Sequence, residues 1–130
     1  MKYLLDTNAI IELLAGQAII HAHIRRHAPS EVGISSIVAH ELYYGAYKSQ
    51  RREANLARVD ALLFETLEFD KEDARSAGMV RAALATSGSA IGPYDVLIAG
   101  QALARDLVLV THNTAEFARI PGLKLEDWQV

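Results

Sequence analysis

Two hydrophobic periods share this chain. Continuous apolar runs, Tyr3-Leu4-Leu5 and Leu107-Val108-Leu109-Val110, each stop at polar residues. Runs of that length are the signature of strands buried on both faces. After the first run, Ile10, Ile11, Leu13 and Leu14 recur at helical spacing, and Gly16 interrupts them. The same reading predicts helices over 18–27, 37–48, 49–66, 70–84 and 93–105, and a short one containing Phe117. It predicts further strands over 31–34, 66–69 and 123–125. Ser35-Ser36 supplies an N-cap, Gly88 a stop, and Pro93 a helix start, the place proline tolerates best. Strand, helix and strand alternate without an internal repeat. The expectation is an α/β fold of three α/β/α layers, with a central, mostly parallel sheet of four to five strands, in one domain spanning residues 1–130.

Hydrophobic residues make up 51% of the 130, enough for a self-sufficient core, and there is no Cys. The lack of Cys excludes a disulfide framework and thiolate metal ligands. No apolar run approaches the ~20 residues of a membrane span, and Asp6 arrives too early for a signal peptide. The expectation is a cytoplasmic protein with no membrane partner. A net charge of −3 gives no global attraction to nucleic acid, so any phosphate contact has to be local. Two basic groups are candidates for phosphate contact. One is Arg25 and Arg26 beside His21, His23 and His27, where a plain solvated helix face is the competing reading. The other is Lys48, Arg51 and Arg52.

Three acids fall at the mouths of buried elements. Asp6 ends the first strand, where it can cap the following helix and do nothing more. Glu41 falls within the apolar stripe of its helix, between Ile37 and Val38, without a basic residue at i±4. Asp95 stands in the first turn of a helix that is apolar nearly all round. Asp73, in the first turn of another helix, is read as structural. Two carboxylates about 4 Å apart repel by roughly 4 kcal/mol at an effective dielectric of 20, so three together need a cation. Oxygen donors without Cys or a His pair favour Mg²⁺, with Mn²⁺ as a substitute, over Zn²⁺. Thr7, Asn8, Ser36, Thr111 and Asn113 are candidates to orient water or a second ion.

The segments LDTN (5–8), ISSIVAHELYYGA (34–46), IGPYDVLIAG (91–100), LVTHNTAEF (109–117) and IPGLKLEDW (120–128) occur in order. In these the chain resembles a PIN-domain ribonuclease, of the VapC type found in toxin–antitoxin pairs. The resemblance implies a Mg²⁺-dependent endoribonuclease acting on structured RNA, often tRNA. It implies a homodimer held inactive by a VapB-like antitoxin, with Tyr43, Tyr44 and Tyr47 as candidate interface residues. It assigns metal binding and catalysis to Asp6, Asp95 and Glu41. Many relatives place an Asp where this chain has His112-Asn113, so a single well-occupied ion is expected without RNA. Two rivals stand beside this reading: a phosphotransfer enzyme using Asp6 as nucleophile, and an idle module that only binds a partner or nucleic acid.

Overall fold

In the computed structural model, which describes residues 1–130, five short strands form one sheet. They are β1 (Tyr3–Leu5), β2 (Val32–Ser35), β3 (Glu65–Leu67), β4 (Val108–Val110) and β5 (Lys124–Glu126). The spatial order is β3-β2-β1-β4-β5 and every pairing is parallel, as in Leu5 opposite Ile34 and Val110. The helices are α1 (Thr7–Leu14), α2 (Ala18–Ile24), α3 (Ser36–Lys48), α4 (Arg52–Asp60), α5 (Lys71–Thr86), α6 (Pro93–Ala104) and α7 (Thr114–Phe117). None is long and apolar enough to cross a membrane.

The strand order decides where a site can form. From β1 the chain steps outward to β2 and β3, then crosses back to β4 and outward again to β5. The direction of winding reverses between β1 and β4. In open parallel sheets a crevice opens at such a reversal, outside the carboxyl ends of the strands. Asp6 follows β1 and Thr111-His112 follows β4, so both sit at that crevice.

The central strand is dry: Leu4 and Leu5 are fully buried and Tyr3 nearly so. They belong to a cluster of 22 buried residues that includes Ile10, Val38, Ile98, Leu109 and Trp128. Helices α5 and α6 approach so closely at Gly100 that a Cβ there would lie 2.4 Å from the Cα of Ala77. Asp73 is 1% exposed and is structural. It forms a capping box with Asp70 and accepts from Gln101 Nε2 at 3.0 Å and Arg105 Nη2 at 2.9 Å. Burial pushes its carboxyl up, but the bonds from Arg105, the Asp70 backbone and Gln101 outweigh that and bring it below the usual range.

Several predicted boundaries move. The 49–66 segment is helical only over Arg52–Asp60. Its apolar end, Leu62 to Phe64, runs as a connection into β3, which starts at Glu65 and pairs with β2. Helix α2 ends at Ile24, and Arg25 caps it. The three His of the 18–27 segment have partners within the protein. His21 Nε2 lies 2.9 Å from the Leu13 carbonyl. His23 and His27 stack on Trp128 with centroids 5.9 and 4.8 Å away. The three His are half-buried and engaged with these neighbours, while Arg25 and Arg26 are exposed.

Candidate active site

Asp6 is the N-cap of α1. Its backbone is extended, and Oδ1 accepts from the Ala9 backbone N–H at 2.8 Å. The capping role read from the sequence is therefore real. It occupies one oxygen of a carboxylate that is only 5% exposed. Burial pushes this carboxyl up. Hydrogen bonds from Thr111 and Ala9 pull it down, the charges of Glu41 and Asp127 push it up again, and the net direction is upward.

Asp95 sits three residues into α6, after the N-cap Gly92 and Pro93. A Cβ at 92 would stand 3.3 Å from Asp95 Oδ2, so a side chain there would press on the carboxylate. Burial, together with the charges of Glu116, Asp6 and Glu41, pushes the Asp95 carboxyl up to about 6. Asp6 and Asp95 are both raised chiefly by burial, with neighbouring carboxylate charge adding to it, as in a partly dry place where acids gather. Three acids 35 or more residues apart in sequence have converged.

Glu41 is half-buried on α3, and its Oε1 accepts from Thr7 Oγ1 at 2.7 Å. No basic side chain pairs with it. The ion pairs of the structure are Arg105 with Asp70 and Asp73, His112 with Asp127, and Lys124 with Asp106. The acids span two adjoining hollows. One, of about 470 Å³, is lined by Asp6, Thr7, Asn8, Asp95, His112 and Asn113. The other, of about 380 Å³, is an apolar groove between α1, α3 and α4 with Glu41 on its wall. Ile11 lines both.

Other predicted site residues are distributed unevenly. Thr111 is buried beneath Asp6, and its Oγ1 accepts from the Asn113 backbone at 3.0 Å. Ser36 is not in the hollow; its hydroxyl accepts from the Phe69 backbone N–H at 3.2 Å and ties α3 to the end of β3. Arg25 lines a separate pocket with Pro29 and Val32, at the amino end of β2 and so at the opposite edge of the sheet. Lys48, Arg51 and Arg52 are exposed at the far end of α3. At 1.5 Å per residue Lys48 is about 10 Å along the axis from Glu41. Tyr44 and Tyr47 are exposed, whereas Tyr43 is half-buried and donates to Asp60 on α4.

One acid escaped the sequence reading. Glu116 on α7 accepts from the Gly92 backbone N–H at 3.4 Å and from Asn113 Nδ2. It contributes the largest charge effect on Asp95. The available signal was an acid three residues after Asn113 in the turn leaving β4. Predicting only a short helix around Phe117 hid it.

The donor set is four carboxylates with hydroxyl and amide oxygens around them, which suits a small, hard divalent cation. The raised carboxyls of Asp6 and Asp95 reflect burial first and repulsion second, and a bound cation would offset both. No three of these groups are already drawn onto one ligating point, so gathering a cation calls for side-chain rotation.

An α/β/α domain with carboxylates at the winding reversal of a parallel sheet defines a class of cation-assisted, acid-lined enzymes. Comparison with known proteins narrows it. The PIN domain model matches residues 3–123. The tRNA(fMet)-specific endonuclease VapC of Salmonella typhimurium is 44% identical over 133 residues, covering 98% of each chain. The chain belongs to the PIN-domain family, among its VapC ribonucleases. Two solved complexes carry the same fold. DNA-bound VapBC from Salmonella typhimurium aligns with TM-score 0.94 at 43% identity, over 98% of each chain. VapBC2 from Rickettsia felis, bound to a promoter DNA fragment, aligns with TM-score 0.90 at 36% identity, over 98% and 99% of the two chains.

Proposed function

We propose that this chain is the nuclease toxin of a toxin–antitoxin pair, a single 1–130 domain that cleaves structured RNA, with tRNA as the first substrate to test. The observation that carries the reading is the gathering of Asp6, Glu41, Asp95 and Glu116, the other three all acting by charge on the Asp95 carboxyl. Its VapC relative is named for tRNA(fMet), and its structural neighbours are complexes with VapB. Those likenesses support a cognate VapB-like antitoxin and action in the cytoplasm. Family resemblance supports a homodimer.

Asp6, Asp95 and Glu41, with Glu116 added, would hold Mg²⁺ or Mn²⁺, one ion in the free protein. When bound, that ion polarises a phosphoryl oxygen and favours hydroxide formation from water. The protein's own groups prepare the place. Asp6 is fixed by Ala9, Thr7 holds Glu41, and Asn113 holds Glu116. Thr111 stabilises the ionised Asp6 from below. Asn8 lines the hollow beside Asp6 and would face an entering substrate.

One feature argues against each rival. A phosphotransfer enzyme of that kind wants a second carboxylate beside the nucleophile or a lysine on a later strand, and here position 8 is Asn and residues 107–111 hold no Lys. An idle module has no use for four mutually repelling acids. The test is incubation of the purified chain with total RNA and with initiator tRNA, in Mg²⁺, Mn²⁺ or EDTA, beside Asp6→Asn. Metal-dependent cleavage lost in the variant is expected. Cleavage that survives EDTA or the substitution overturns the reading.

A further inference from the structure

At the rim of the acid hollow two residues form a pair that the cation chemistry does not use. His112 follows β4 and Asp127 follows β5, and the parallel register of Val110 opposite Glu126 brings these strand ends side by side. His112 Nδ1 lies 2.9 Å from Asp127 Oδ2. The other oxygen, Oδ1, accepts from the Gln129 backbone N–H at 2.9 Å. The neighbouring Trp128 is 1% exposed and wedged against His27 and Tyr3. Asp127 is thus clamped at both oxygens on an anchored backbone, with its side chain 17% exposed, while His112 stands out at 54%. A carboxylate can only accept, so Nδ1 carries the proton. The opposite nitrogen, Nε2, has no partner within the protein, and the ring lines the same hollow as Asp6 and Asp95.

We propose that His112, oriented by Asp127, hydrogen-bonds through Nε2 the ribose 2′-hydroxyl of a nucleotide flanking the scissile phosphate, and so makes the site discriminate RNA from DNA. This rests on the endoribonuclease reading above. The scissile phosphate belongs over the carboxylates, where a cation neutralises it, so a group at the rim meets the adjoining sugar. An imidazole suits a hydroxyl in either protonation state. Neutral Nε2 accepts from the 2′-OH, and protonated Nε2 donates to its oxygen. A phosphate oxygen, which only accepts, serves the charged form alone. Carboxylates and a cation read charge, which RNA and DNA share; the 2′-hydroxyl is what separates the two. Asp127 is a positioning residue that acts only through the ring it holds.

The test is a cycle of enzyme and substrate variants. A synthetic RNA spanning the mapped cleavage site is made all-ribose, or with a single 2′-deoxynucleotide on one or the other side of the scissile phosphate. Each is cleaved by the wild-type chain, His112→Ala, His112→Gln and Asp127→Asn. Binding of the same oligonucleotides is followed in EDTA by fluorescence anisotropy. The wild type is expected to favour ribose at one flanking position by about tenfold, the worth of one hydrogen bond. His112→Ala should erase that preference and Asp127→Asn reduce it. His112→Gln, whose amide also bonds hydroxyls, should restore part. The ratio of ribose to deoxyribose is the readout, and general loss of fold does not move it. A ribose preference undiminished in His112→Ala, or an equal loss on both substrates, overturns the proposal. If the wild type cleaves no RNA, the endoribonuclease reading fails, and the anisotropy cycle still decides whether Nε2 reads the hydroxyl.

Discussion

Replacing Asp95 by Asn should stabilise the cation-free protein while destroying its activity. A carboxyl moved from its ordinary value near 3.8 to about 6 is penalised on ionising by about 3 kcal/mol, at 1.36 kcal/mol per pH unit. Asp95 is half-buried, and solvent screening there leaves about 1.5 kcal/mol. The sign follows from the direction. In the unfolded chain the group ionises near pH 4, whereas in the folded chain it keeps its proton to about pH 6. Stability from this group is full below pH 4, is lost as the pH rises through 6, and stays lost above it. Asn carries no charge to penalise. With an unfolding entropy of about 2.1 cal/mol/K per residue, a chain of 130 residues should melt about 5 °C higher as Asp95→Asn at pH 7.5 in EDTA. The gain should shrink as the pH is lowered toward 4. Added Mg²⁺ should raise the wild-type midpoint more than the variant's, because an ion bound only by the folded state stabilises it. Melting followed by circular dichroism at fixed protein concentration decides the matter. A variant that melts below the wild type at pH 7.5, or a gain that persists unchanged at pH 4, refutes the reasoning.

Glu116→Gln removes the strongest charge acting on Asp95 and should cut cleavage by about ten- to hundredfold, as loss of a group that tunes a metal ligand does. Its midpoint in EDTA should rise modestly, and gel assays beside thermal melts check both. Gly100→Ala places a methyl 2.4 Å from the Cα and 2.6 Å from the backbone N of Ala77. It should cost about 3 kcal/mol, the upper part of the overpacking range, measured by urea denaturation. Arg105→Ala strips the cation from the buried Asp73 and should cost about 3 kcal/mol near neutrality. Because the Asp73 carboxyl is lowered, that contribution is present above the ordinary carboxylate range and lost as the pH falls below it. The variant and wild-type curves should therefore converge at acid pH.

Much of this architecture was legible in one dimension. Tyr3–Leu5 and Val108–Val110 are too apolar and too short to be anything but buried strands, and the polar stop after each marks the sheet edge. Asp6, Glu41 and Asp95 could be singled out because each is an acid placed where an apolar residue would serve the core better. Glu116 and Asp127 gave no such signal. Both lie in short polar segments where an acid is the ordinary choice, and only their position relative to Asp95 and His112 gives them meaning. The same holds for Ser36, Arg25 and the three His of the 18–27 segment. Their chemistry suited the site or its surroundings, but helix phase and strand order turned each toward another neighbour. Periodicity reports which face of an element is dry, because burial is a property of each residue. Which elements meet is a property of pairs, and the crossing back from β3 to β4, which set Asp6 and Asp95 around one hollow beside the groove that holds Glu41, was decided by packing.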